Sequence, residues 1–147
     1  MCIRDRFKTA QTQKFSEIIS LTWQDTATGY FARLFRRGEH LMAYLQFNGG
    51  ERTSTSMTNS IVPEMLQELV FVYDGNQQTT WLNGEIAGFE KNFLDLPRKK
   101  STELVLNIGQ SSDREWWVPF EGEITSIYLG TKVPTEVEIE SIFSTNN

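Results

Sequence analysis

Apolar residues recur at every second position through most of this chain. Between Glu17 and Trp23, Ile19, Leu21 and Trp23 fall on one side, with Ile18, Ser20 and Thr22 opposite. In Tyr30 to Arg36, Ala32 and Leu34 alternate with Phe31, Arg33 and Phe35, and after a turn at Arg37-Gly38-Glu39-His40, Leu41, Ala43, Leu45 and Phe47 share a face. A period of two is the signature of strands with one buried side. Leu66 to Tyr73, Thr79 to Leu82, Glu85 to Phe89, Leu104 to Gly109 and Phe120 to Leu129 continue the pattern. Asn83-Gly84 marks a tight hairpin, because both residues accept positive φ. Leu106, Ile108 and Ile124 are expected to face a core. Gly122 signals a bulge or a close backbone approach.

Two stretches are less regular. Phe7 to Lys14 is polar and reads as a loop or frayed edge, and the Ser/Thr-rich Glu51 to Ser60 reads as a loop or a polar edge strand. Near the end, Thr135 and Glu138 have capping-box spacing, and Ile139, Ile142 and Phe143 make one helical stripe. Roughly nine or ten short strands, regular turn signals and a single helix predict an all-β, antiparallel fold.

Composition narrows the function classes. At 147 residues the chain is expected to bury one core. A net charge of −5 repels a phosphate backbone, and the short Arg36-Arg37 and Arg98-Lys99-Lys100 clusters read as solvated turn charge, so nucleic acid is not an expected partner. No apolar run approaches the roughly 18 residues of a membrane span. Cys2 is the single cysteine.

Four motifs, in order, carry a resemblance. They are Ile18-Ile19-Ser20-Leu21 with Phe31-Ala32-Arg33-Leu34; Leu69 to Gly75 with Trp81-Leu82-Asn83-Gly84; Leu104 to Gly109 with Phe120-Glu121-Gly122-Glu123-Ile124; and the capped helix. Together they resemble laminin-G-like domains of the concanavalin A-like lectin/glucanase superfamily, in particular a bacterial subgroup. The resemblance implies an antiparallel β-sandwich jelly roll with one short C-terminal helix. It also implies an extracellular, periplasmic or cell-surface setting, further domains in the same polypeptide, and calcium as a possible cofactor. Met1 to Arg6 resembles translated sequencing-adapter DNA of the kind fused to metagenomic gene fragments. Residues 1–6 are therefore expected to be a non-native leader, and residues 7–147 a domain lacking its first strands.

The superfamily's glucanases carry E-x-D-x-x-E on one strand, which sets two carboxylates side by side for hydrolysis. This chain has no such stretch, and no catalytic residue is assigned. Glu136, Glu138 and Glu140 belong to the helix, and Glu121 and Glu123 have no aspartate between them. His40 reads as a turn residue. Asp74, Asp95 and Asp113 occupy loops where calcium could bind, but an Asp before Gly also makes turns, so no metal ligand set is assigned. The loop Ser111 to Pro119 is the candidate binding site. Asp113, Arg114, Trp116 and Trp117 combine aromatic surface with groups that hydrogen-bond hydroxyls. The alternative is that the tryptophans close the end of the core while Arg114 pairs with a carboxylate. Trp81 and Tyr44 are ambiguous in the same way. The expectation is non-catalytic recognition of a glycan or protein partner. The alternatives are a spacer without a ligand or a hydrolase with an unusual catalytic set.

Overall fold

The computed structural model describes residues 1–10, 15–23, 30–46, 52–91, 104–110 and 117–144. Ten strands and one helix follow in order: β1 (Cys2–Thr9), β2 (Phe15–Trp23), β3 (Tyr30–Arg37), β4 (His40–Gln46), β5 (Arg52–Met57), β6 (Leu66–Tyr73), β7 (Gln77–Leu82), β8 (Glu85–Lys91), β9 (Leu104–Ile108), β10 (Gly122–Gly130) and α1 (Glu136–Ser144). They build two antiparallel five-stranded sheets. Sheet A has the order β10-β1-β6-β7-β8 and sheet B the order β5-β4-β3-β2-β9. This is the antiparallel all-β fold that the alternation predicts and the sandwich with a short C-terminal helix that the resemblance implies.

The core lies between the sheets. Ile3, Phe7, Leu69, Phe71 and Leu82 come from sheet A; Ile19, Leu21, Leu34, Leu41 and Leu45 come from sheet B. Each such side chain removed from water contributes about 1.5–3 kcal/mol before its ordering cost. A second, smaller cluster forms where α1 lies on the outer face of sheet A, with Ile139 against Cys2, Val70 and Val72. That double covering explains why β6 is buried on both faces after its first residue. The helix starts on a reciprocal capping box: the Glu138 N–H donates to Thr135 Oγ1 at 3.3 Å, and the Thr135 N–H donates to Glu138 Oε2 at 2.7 Å. The β7–β8 hairpin turns at Asn83 (φ 53°) and Gly84 (φ 86°), as the two-residue motif requires.

Several expectations change. Of the stretch read as a loop or frayed edge, Phe7 to Thr9 belong to β1, which begins at Cys2 and runs between β6 and β10, while residues 11–14 lie outside the described residues. Ile3 of this strand is fully buried. Hydrogen bonds on both flanks hold this segment extended although its inward side reads Ile3, Asp5, Phe7, Thr9. Ile18 is not opposite Ile19: a bulge between Glu17 and Ile19 brings both into the core. Arg36 is not a solvated turn charge but is 1% exposed. Its guanidinium donates to the Gly38 carbonyl at 3.1 Å, to the Ala10 carbonyl at 3.1 Å and to the Thr9 hydroxyl. Arg98, Lys99 and Lys100 lie outside the described residues. Of the stretch Glu51 to Ser60, residues 52–60 form the edge strand β5 and a following turn. Leu106 and Ile108 are 39% and 50% exposed, not buried, because β9 is an edge strand whose inward face is incompletely covered. Ile124 is half-buried.

Gly122 makes the close approach its position suggests. Its φ is 150°, and a Cβ there would run into the Lys8 carbonyl. The bulge falls slightly later, at the register shift opposite Arg6 and Phe7.

Candidate functional site

The outer face of sheet B carries the densest polar and aromatic arrangement among the described residues. Alternation on β3 turns Arg33 and Phe35 away from the core that takes Ala32 and Leu34. The bulge in β2 sends Glu17 and Ser20 to the same outer side. Glu17 and Arg33 are 0% and 1% exposed, and their ion pair is 2.7 Å long. Ser20 Oγ donates to Glu17 Oε1 at 2.6 Å. Asn107 of β9 then reaches across, donating to Ser20 Oγ at 3.3 Å and to Thr22 Oγ1 at 3.1 Å. A buried charge pair is tolerated only when further hydrogen bonds hold its remaining groups, and this relay across β3, β2 and β9 provides them.

An aromatic layer covers the pair. Trp117 lies 5.6 Å from Phe15 and 4.7 Å from Phe35, ring centroid to centroid. The Arg33 guanidinium sits 5.0 Å from the Trp117 ring centroid, a cation–π distance. Tyr44 meets Phe35 edge-on at 4.8 Å, and the exposed Arg37 lies 5.2 Å from the centre of Phe15. Trp117 is held in place because the next residue is tied down. The Val118 N–H donates to the Phe15 carbonyl at 3.0 Å, and Val118 bridges Ser16 in parallel. The rim thus offers aromatic edges and a guanidinium over a floor with one fixed carboxylate. Such a surface can stack on the C–H side of a sugar and hydrogen-bond its hydroxyl or carboxylate groups.

Of the four residues singled out in the sequence, Trp117 is at this face, half-buried in the aromatic layer. Asp113, Arg114 and Trp116 lie outside the described residues. Tyr44 joins the layer, whereas Trp81 packs on the opposite sheet against the Val70, Val72 and Ile139 cluster. Glu17, Ser20, Arg33 and Asn107 were not singled out. Arg33 alternates with the apolar Ala32 and Leu34, but Glu17 and Ser20 share its side only through the bulge in β2. His40 stands in its turn and accepts the Asn59 N–H at 3.2 Å. Asp74 Oδ1 accepts the N–H groups of Asn76 and Gln77 at 2.7 and 2.8 Å and so shapes a turn. Asp95 is outside the described residues. Among the described residues no three His, Cys, Asp or Glu side chains come together as metal ligands. No helix among them is long and apolar enough to cross a membrane.

A groove of about 350 Å³ lies beside α1 and includes Arg4, Tyr128, Lys132 and Glu138. Its cations are engaged by carboxylates, Arg4 with Glu68 at 2.6 Å and Lys132 with Glu138 at 2.7 Å. The hydrogen bond from Lys132, with help from Thr135, holds the Glu138 carboxyl down at about 2.

No protein-family model matches the chain, and no curated protein sequence matches it. Solved structures do. The CBM40 module of the Ruminococcus gnavus IT-sialidase, bound to α2,3-sialyllactose, superposes with a TM-score of 0.77 at 14% identity, over 97% of this chain and 81% of that one. The NanB sialidase of Streptococcus pneumoniae matches with a TM-score of 0.76 at 18% identity, over 95% of this chain and 23% of that one. A SAP-like pentraxin from Limulus polyphemus matches with a TM-score of 0.74 at 18% identity, over 99% of this chain and 70% of that one. At such identities the likeness is one of fold: this chain is a jelly-roll β-sandwich.

Proposed function

We propose that this chain is a non-catalytic glycan-binding module of a larger secreted or surface protein, with its site on the outer face of sheet B. The supporting observation is the Arg33–Glu17 pair, fixed by Ser20 and Asn107 beneath the aromatic layer of Phe15, Phe35, Tyr44 and Trp117. A module of the same fold carries sialyllactose, which makes an acidic terminal sugar the first ligand to test. Most glycoside hydrolases use two cooperating carboxylates, sialidases with their tyrosine nucleophile being an exception. On this face the described strand residues supply only Glu17, already held by Arg33 and Ser20. Asp113, Arg114 and Trp116, neighbours of Trp117 in the sequence, are proposed as further binding residues. The laminin-G-like assignment remains the subgroup that the motifs support.

A glycan array with sialylated and neutral oligosaccharides, run with calcium and with chelator, tests the reading. Binding should be weakened about tenfold or more, or about 1.4 kcal/mol, by Arg37→Ala and by Tyr44→Ala. Near-ultraviolet circular dichroism would confirm that both variants fold. Silence of the whole array would favour the spacer reading, which the half-buried packing of Trp117 also suits.

A further inference from the structure

Sheet A carries a groove on the side of the sandwich away from the aromatic layer. It has a volume of about 240 Å³ and runs between α1 and the β7–β8 hairpin. Trp81, Gly84 and Ile86 form its sheet side, and Glu136, Glu140 and Phe143 its helix side. Spacings of four and three put those helix residues on one face. Ile139 shares that face and packs on Val70 and Val72, which turns the face to the sheet. Trp81 stands outward because it pairs with Val70 and Ile86 on the outer side of their strands. Phe143 closes one end, since a Cβ on Gly84 would lie 3.6 Å from its side chain.

The walls are apolar and the charge is of one sign. Among the described residues neither the Glu136 nor the Glu140 carboxylate meets an ion-pair or hydrogen-bond partner. Lys132, the only cation between residues 131 and 144, is taken by Glu138 at 2.7 Å. Two glutamates four apart on one helix face repel each other, and the last turn of α1 has no basic residue to offset them. Two carboxylates only accept hydrogen bonds, and Trp81 adds a single indole N–H. A sugar hydroxyl both donates and accepts, so this groove suits it poorly; a ligand that only donates matches it. The volume lies below the roughly 300–1,000 Å³ of small-molecule sites and is of the size for one side chain. Between the two basic side chains arginine fits better. Its flat guanidinium can lie on an indole face while its edge donates to carboxylates, and its stem can pack on apolar walls.

We propose that this groove takes one arginine side chain from a basic segment of a partner protein, with the guanidinium between Glu136 and Glu140 and against the Trp81 ring. The contact is independent of the glycan site on sheet B. A cation here removes the repulsion between the two glutamates, so docking of the partner also steadies α1 on the sheet.

Nuclear magnetic resonance titration of the isotope-labelled full chain with acetyl-Gly-Arg-Gly-amide tests this. The Trp81 indole and the Gly84 and Ile86 amide signals should move, with a Kd of about 1 mM that rises between about 0.05 and about 0.5 M salt. The citrulline peptide, of the same shape without the charge, should not bind, and the lysine peptide should bind about threefold more weakly. Glu136→Gln and Glu140→Gln should each weaken binding about threefold, whereas Glu123→Gln on β10, an equal change in net charge, should not. Both groove substitutions relieve a repulsion, so a loss of binding is not a loss of folding. Trp81→Leu, which keeps an apolar side chain on the Val70 cluster, should also cost about threefold. Unmoved signals overturn the proposal, as does a citrulline peptide or a neutral oligosaccharide that binds this groove. So does a lysine peptide as tight as the arginine one, an equal loss from Glu123→Gln, or free methylguanidinium as tight as the peptide, which would make the ligand a small cation.

Discussion

Replacing Asp5 with valine should stabilise this protein. Asp5 is 0% exposed and points between Ile3 and Phe7 into the space between the sheets. Its strand neighbours are Leu69 on β6 and Ile127 on β10. The facing sheet presents Ile19, Leu21, Leu34, Ala43 and Leu45, and its one inward cation, Arg36, is held at the Thr9 end of β1. Neither carboxylate oxygen has a side-chain partner among the described residues. Loss of hydration pushes the carboxyl up to about 7 from 3.8, and the Arg6 N–H offsets only part of that. A rise of about 3 units corresponds to about 4 kcal/mol at 1.36 kcal/mol per unit. The folded state holds this proton between about 3.8 and 7 while the unfolded chain has released it, so stability is fullest below pH 3.8, falls as pH rises and levels off above 7. Urea unfolding of the wild type and Asp5→Val at pH 5 and pH 8 reads the effect. The variant should be more stable by about 3–5 kcal/mol at pH 8, the gap should narrow at pH 5, and Asp5→Asn should also remove the slope. Comparing the two chains at each pH cancels Glu138, whose lowered value has the opposite sign. A destabilised Asp5→Val, or a gap that does not change with pH, would refute the placement of this carboxylate in the core.

Other expectations follow from single residues. Glu17→Ala strips the buried Arg33 of its carboxylate and should cost about 3–5 kcal/mol in chemical denaturation. Gly122→Ala sets a methyl against the Lys8 carbonyl at a φ of 150°; a fall in melting temperature equivalent to about 2–4 kcal/mol is expected. Thr135→Ala removes half of the capping box at the exposed start of α1, and amide exchange there should speed up by the equivalent of about 1 kcal/mol.

The binding face was only partly legible in the sequence. The loop around Trp117 stood out because adjacent tryptophans beside charges are unusual. The floor did not, because Glu17, Ser20, Arg33 and Asn107 lie on three strands that meet only through the register of β3, β2 and β9. Arg36 shows the same limit. An arginine before a Gly turn reads as solvated, and only the return of β1 past it supplies the Thr9 and Ala10 oxygens that hold it buried.

By itself the sequence determined the strand ladder, the Asn83-Gly84 hairpin and the capped helix. Each of these depends on neighbours within a few residues: alternation, positive φ at two adjacent positions, and a reciprocal pair three apart. Tertiary structure alone decided that a segment with an aspartate on its inward side would run between β6 and β10, because hydrogen bonds from two distant strands outweigh a poor local pattern. It also decided that Leu106 and Ile108 would stand at an open rim. Alternation says which side of a strand is apolar, but whether another layer covers that side depends on where the strand falls in its sheet.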